Sequence, residues 1–104
     1  MAITNVLVTD GDAANVYVSP TSTAITAMYF CNIDSVARDF DVYLLPAGNT
    51  ITQTSNKIYS GITLQAGDTY VIDTEKLILD AGDVIRANTT ATDAMSCTIS
   101  FIGL

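Results

Sequence analysis

The segment that decides the fold runs from Gly61 to Ala87, GITLQAGDTYVIDTEKLILDAGDVIRA, and contains one short phrase twice. Each copy is leucine, a variable residue, Ala-Gly-Asp and then β-branched or aromatic residues, starting at Leu64 and at Leu79. Glycine adopts positive φ without steric cost and aspartate hydrogen-bonds nearby backbone, so each phrase predicts a strand end, a tight turn and a new strand. A looser copy begins at Leu45. We therefore predict structural turns at Gly48, Gly67, Asp68, Gly82 and Asp83.

Apolar and polar residues alternate through most of the remaining chain. The alternation is cleanest from Met95 to Phe101 and is also clear from Phe40 to Leu45, while Ser60-Gly61 predicts a bulge or bend in its strand. Turn signals recur about every 8 to 12 residues and no helical period is visible, a pattern typical of sandwiches and barrels. The sequence predicts an all-β fold, an antiparallel β-sandwich or jelly-roll-like barrel of about eight short strands. All 104 residues are expected to form one domain, 1–104.

The longest predicted strand runs from Thr21 to Asn32 and carries large apolar side chains on both of its faces. One set is Ile25, Ala27, Tyr29 and Cys31, and the other is Thr26, Met28, Phe30 and Asn32. A strand covered on both sides is central to a closed structure or contributes one face to a subunit interface. We take the second hypothesis and predict Met28 and Phe30 at a subunit contact. Tyr17, Tyr43 and Tyr59 either anchor such an interface or cover the edges of the core.

Composition limits the partners. The net charge is −7, and the basic residues Arg38, Lys57, Lys76 and Arg86 are scattered, so the basic footprint needed for nucleic acid or an anionic membrane is missing. Apolar residues make up 49% of the chain and charged residues only 14%. Its apolar runs are far shorter than the roughly 20 residues of a membrane helix. We expect the apolar surplus to be buried by homo-oligomerisation or by a protein partner. No secretory signal is visible, which predicts synthesis in the cytoplasm.

No residue pattern indicates catalysis, so we predict no enzyme activity, no catalytic residues and no cofactor. Histidine, the commonest general base, is absent, as is any Gly-x-Ser-x-Gly motif. Asp10-Gly11-Asp12, with Asn15, fits a hairpin turn better than a cation site, and matching turn contexts explain both Asp68 and Asp83. Cys31 and Cys97 lack metal-ligand spacing and are predicted to be small buried hydrophobic residues, with a disulfide as the minor alternative. No metal site is predicted.

Five phrases of the chain carry a resemblance: Val16-Tyr17-Val18-Ser19-Pro20, Ile25 to Asn32, Val42 to Gly48, Leu64 to Asp68, and Leu79 to Ala87. Taken in this order, they resemble a family of small bacteriophage virion proteins. The resemblance extends over nearly the whole chain, although its motifs are strand-and-turn phrases. It implies a structural protein of a tailed phage particle, located in the virion, with an all-β domain and no catalytic residues.

Two structural roles and one binding role follow from this resemblance. The first is a capsid decoration or cement protein that forms a homo-oligomer, for which a trimer is one arrangement, and clamps the major capsid protein. A tail, neck or fibre-attachment subunit contacting another virion protein is its close rival. From another class comes a carbohydrate-binding module that recognises the host surface. That role calls for exposed aromatic platforms, yet the chain has no tryptophan and its tyrosines are spread over separate strands.

Overall fold

The computed structural model describes residues 2–8, 13–48, 56–73, 77–91 and 93–104. Every strand pairing in these ranges is antiparallel, and no α-helix occurs among the described residues. The strands are β1 (Ala2–Leu7), β2 (Ala14–Val18), β3 (Thr23–Asn32), β4 (Arg38–Leu45), β5 (Lys57–Leu64), β6 (Thr69–Ile72), β7 (Leu77–Leu79), β8 (Val84–Thr89) and β9 (Met95–Gly103).

The strands form two sheets packed against each other. The first sheet has the order β1-β9-β3, with β6 and β7 both paired to the far side of β3, and the second has the order β2-β8-β4-β5. If β6 and β7 are treated as one interrupted edge strand, each sheet is four strands wide and the order is that of a jelly roll. The predicted all-β antiparallel sandwich is confirmed. The described residues form nine strands rather than about eight, because β6 ends at Ile72 and β7 begins at Leu77.

A bulge in β3 explains why that strand is apolar at both parities. Its register with β9 shifts between Ile25 and Ala27, which leaves Thr26 as an extra residue. A bulge changes which parity faces inward, so Ile25 faces the core before it, and Met28 and Phe30 face the core after it. These two residues are 1% and 0% exposed and belong to the core of the single chain. The prediction that they lie at a subunit contact is therefore wrong.

Aromatic packing joins the two sheets at the centre of this core. The ring of Phe30, in β3, stacks on that of Phe40, in β4, with centroids 4.5 Å apart and an interplanar angle of 15°. The Tyr70 ring meets Phe40 edge-on at 5.8 Å. Burying two such rings removes a large apolar area from water and contributes much of the stability of a domain of this size.

The two Ala-Gly-Asp phrases form corners at which the chain passes from one sheet to the other. The first corner joins β5 of the second sheet to β6 of the first, and the second joins β7 of the first sheet to β8 of the second. Gly67 and Gly82 have φ of 80° and 90°, and Gly48 in the looser copy has 84°, in agreement with the predicted turns. Gly61 also has positive φ, 61°, and lies at a register shift between β4 and β5, where a bulge is predicted.

Both corners make the same pair of backbone hydrogen bonds to the end of a neighbouring strand. At the first corner, the glycine N–H donates to the Asn32 carbonyl and the Asn32 N–H donates to the aspartate carbonyl, each at 2.9 Å. At the second corner, Ser19 takes the place of Asn32, with distances of 2.7 and 2.9 Å. The repeated sequence is therefore also a repeated structure. At each corner the two hydrogen bonds hold the turn through which the chain passes from one sheet to the other.

Candidate interaction surfaces

Charged residues are divided unequally between the two sheets. None of the five strands of the first sheet contains Asp, Glu, Lys or Arg. All charged residues of the described strands belong to the second sheet, where they are Arg38, Asp39, Asp41, Lys57 and Arg86. In a chain of net charge −7, contact through the described strands of the first sheet therefore brings no charged strand residues together.

We call the outward side of the first sheet the neutral face. Two rows of side chains cross it in register. One row is Leu7, Ser96, Cys31 and Thr69, and the next is Asn5, Thr98, Tyr29 and Val71. Ile3 is 67% exposed at one margin and Ile78 is 64% exposed at the other, and Ile102 is also exposed. Exposed apolar residues thus alternate with hydroxyl and amide side chains, as at surfaces that bind proteins.

The second sheet ties its charged groups together within the chain. Arg86 Nε donates to Asn15 Oδ1 at 2.7 Å, across β8 and β2. Lys57 Nζ is 3.8 Å from Asp41 Oδ2 and 5.4 Å from the centroid of the Tyr43 ring. These contacts give a partly shielded polar surface, and such exposed ion pairs add little stability.

The three tyrosines considered as interface anchors lie on the second sheet, and two of them, Tyr17 and Tyr59, pack against the core. Tyr43 is 7% exposed. Tyr17 is half-buried with its ring centroid 4.9 Å from that of Phe101, and Tyr59 meets Tyr70 edge-on at 6.2 Å. Of the two interpretations left open by the sequence, the covering of core edges describes Tyr17 and Tyr59, whereas Tyr43 lies outside the core cluster with Lys57 over its ring. They do not form one exposed aromatic platform.

An apolar pocket opens between the two sheets. It has a volume of about 320 Å³ and is lined by Met28, Ile58, Tyr59, Ile72 and Leu77. The Tyr59 hydroxyl is the one polar group among these side chains. Its described lining therefore offers mainly hydrophobic contact, with one hydroxyl group at Tyr59.

The two thiols differ in accessibility. Cys97 is fully buried, and burial raises the pKa of its thiol to about 12. Cys31 is half-buried and belongs to the neutral face, so the prediction of a buried cysteine is right for Cys97 and only partly right for Cys31. Both are free thiols: Cys97 lies opposite Phe30 in the ladder, which places it on the opposite side of the sheet from Cys31.

The aspartates that the sequence predicted in turns, Asp68 and Asp83, both hydrogen-bond to nearby backbone groups. Asp68 and Asp83 belong to separate corners. The Asp83 carboxylate accepts the Ala47 N–H through Oδ1 and the Asp80 N–H through Oδ2, both at 2.9 Å, and so ties the Leu45 turn to the second corner. Asp10, Gly11 and Asp12 lie outside the described residues, as does the predicted polar loop 50–56 apart from Asn56. No cluster of three or more potential metal-binding side chains occurs in the described ranges.

Comparison of the chain with protein-family models, curated proteins and solved structures gave no match. Within the described part of the chain there is also no helix long and apolar enough to span a membrane. The features of the molecule that bear on its function are therefore the surfaces of the two sheets and the phrases of the sequence.

Proposed function

We propose that this protein is a non-enzymatic structural component of a tailed phage particle, a capsid decoration or cement protein that self-associates and stabilises the shell. The observation that carries the proposal is the uncharged first sheet, with its exposed Ile3, Tyr29 and Ile78. The sequence phrases that resemble small virion proteins are the reason for proposing a phage particle as the location. The proposed partners are further copies of the chain and the major capsid protein or another virion protein.

Electrostatics explains why such a sheet suits a shell protein. Copies that each carry a net charge of −7 repel one another. Contact through a charged face would also require charged groups to lose their hydration, which costs several kcal/mol per buried ion. Contact through the neutral face keeps the charged strand residues hydrated and outside the interface, and it buries exposed aliphatic side chains.

The rival functions differ in where they place the contact. A tail, neck or fibre-attachment subunit would use the same neutral face at another position on the particle. A carbohydrate-binding module would use aromatic side chains to stack on sugar rings, and jelly rolls do occur among lectins. The tyrosines of the second sheet are half-buried or buried and lie on separate strands. This arrangement supports a structural role on a particle over the binding of sugar rings.

Immunogold labelling of tailed particles, purified from cells that produce the chain, tests the proposal. The expected result is regular labelling of the head, together with loss of packaged DNA at a lower temperature from particles that lack the protein. Labelling confined to the tail or neck would support the rival structural role and contradict a capsid position. A protein absent from particles that binds a glycan array would identify a carbohydrate-binding module.

A further inference from the structure

The free edge of β1 differs from every other edge in the sandwich. Within the described ranges, β1 has a strand neighbour on its β9 side alone. Its sequence, Ala-Ile-Thr-Asn-Val-Leu, contains no charge, proline or glycine, and its register with β9 runs without interruption from Ala2 to Leu7. A regular, uncharged edge strand presents unpaired backbone groups and is a template for another strand.

The other three edges carry features that block such pairing. β2 has a bulge between Asn15 and Tyr17 and is soon followed by Pro20. β5 begins at Lys57, contains Gly61 at positive φ and has two register shifts. β6 and β7 have only four and three residues. These are devices by which proteins prevent edge-to-edge association, and β1 lacks all of them.

We propose that β1 pairs with β1 of a second copy of this chain in an antiparallel, two-fold symmetric arrangement centred on Asn5. An antiparallel pair about this centre places Asn5 beside Asn5 of the second copy. On the neutral face it then places Ile3 beside the second copy's Leu7, and on the inward side Thr4 beside the second copy's Val6. The first sheets of two copies would form one continuous sheet. This inference rests on the self-association in the proposed function and assigns it to the free edge of β1. The neutral face stays open for contact with another virion protein.

The side chains of β1 are suited to meeting themselves. Ile3 and Leu7 are 67% and 45% exposed, and each would gain an apolar neighbour directly across the new strand pair. Asn5 is exposed and its Nδ2 lies 3.4 Å from Thr98 Oγ1, a weak contact that leaves its amide free to reorient. Two-fold symmetry brings identical groups together at the axis, and an uncharged amide pair meets there without repulsion.

The size of this contact sets its expected strength. The register centred on Asn5 pairs residues 3 to 7 of the two β1 strands, a length of about 17 Å at roughly 3.4 Å per residue, so the pairing lies at the small end of specific interfaces. We therefore expect a reversible dimer with a dissociation constant in the range of about 1 to 100 μM. Several weak contacts of this kind, repeated around a particle, would act together through high effective concentration.

Sedimentation equilibrium of the wild-type chain and of two opposite charge variants tests the proposal. Asn5→Asp and Asn5→Lys each place like charges side by side at the two-fold axis, so each is expected to weaken dimerisation at least about tenfold. An equimolar mixture of the two variants places opposite charges there and is expected to recover dimers. Native mass spectrometry should show that these contain one chain of each kind.

The matched controls are Thr69→Asp and Thr69→Lys, on the opposite edge of the same face. Thr69 is exposed in β6, so these variants make the same changes in net charge and should leave dimerisation unchanged. Circular dichroism verifies that each variant is folded. If an Asn5 variant is not, Ile3→Asp mixed with Leu7→Lys repeats the test, because the symmetric register places positions 3 and 7 opposite each other.

Four results would overturn the proposal. These are a wild-type chain that stays monomeric up to about 1 mM, a trimer, dimers unaffected by both Asn5 variants, and variants whose mixture does not recover. The particle experiment is separate. A chain that is monomeric in solution but labels the head would contradict the β1 pairing alone, whereas a β1 dimer found on no particle would contradict the proposed function alone.

Discussion

Replacing Gly82 by alanine should destabilise the protein more than the same change at Gly67, although both glycines occupy the same position in repeated corners. Both have positive φ, 90° and 80°. A Cβ added at Gly67 would meet no other atom within 4 Å, whereas one added at Gly82 would lie 3.0 Å from the Cβ of Ala47. The two substitutions therefore share a backbone cost, and only Gly82→Ala adds a steric one.

The two contributions can be estimated separately. Positive φ costs an alanine about 1 to 2 kcal/mol, and the smaller conformational freedom of the unfolded chain returns about 0.4 to 1 kcal/mol. The net destabilisation expected for Gly67→Ala is thus about 1 kcal/mol. Overpacking costs about 1 to 3 kcal/mol, and since the exposed Ala47 turn can shift slightly, we expect the lower value, giving about 2 kcal/mol for Gly82→Ala.

Urea unfolding followed by circular dichroism, with thermal unfolding as a second measure, tests these values. Each kcal/mol should lower Tm by about 4 °C in a domain of this length. The double variant Ala47→Gly with Gly82→Ala removes the close approach but keeps the positive φ. It should therefore show a favourable coupling energy of about 1 kcal/mol in a double-mutant cycle. Equal losses at Gly67 and Gly82, or no coupling to Ala47, would refute the steric reasoning.

Two further predictions concern the core and the thiols. Phe30 is 0% exposed, so Phe30→Ala should lower the free energy of unfolding of the monomer by about 3 to 5 kcal/mol. Tyr29→Ala, at an exposed neighbouring position, should lower it by less than about 1 kcal/mol. Urea unfolding compares the two variants, and a Phe30→Ala variant as stable as the wild type would contradict the core assignment. Burial raises the pKa of the Cys97 thiol to about 12, so a thiol reagent at pH 8 should modify Cys31 alone in the folded protein and both cysteines in denaturant. Rapid modification of Cys97 without denaturant would contradict its burial.

The corners could be predicted from the sequence because their determinants are local. A glycine at positive φ, followed by aspartate and preceded by a buried leucine, specifies its turn within five residues. The phrases alone do not show that both corners cross between sheets. That depends on Asn32 and Ser19, which are far from the corners in sequence and receive their backbone hydrogen bonds.

The interpretation of β3 failed for a reason that is not local. Met28 and Phe30 stand at the parity opposite to Ile25, and without knowledge of the bulge at Thr26 this pattern indicates two covered faces. The bulge is defined by the register between β3 and β9, whose residues are about 70 positions apart in the sequence. The sequence signal for the bulge is that the alternation of apolar and polar residues breaks at Thr26. That signal is hard to see because the residues on both sides of Thr26 are mostly apolar.

The division of charge between the sheets was also present in the sequence but could not be recognised there. Strands with and without charged residues are intermixed along the chain: β3 has none, β4 has three, β6 has none and β8 has one. Among the described strands, the jelly-roll order collects five of the six uncharged ones, all except β2, into one sheet. The chain changes sheet at each Ala-Gly-Asp corner, so the strands before and after each corner lie in different sheets.

The corners and the neutral face are thus parts of one arrangement. Each corner separates a strand of the charged sheet from a strand of the uncharged one, so its geometry decides on which surface the charges of the following strand appear. The two features should nevertheless be energetically separable, because the Gly82 corner is bonded to Ser19 and Ala47 while the proposed contact is centred on Asn5 in β1. Distant, independent sites contribute additively. Gly82→Ala should therefore lower stability without changing the dimerisation of the folded chain, and Asn5→Asp should do the reverse.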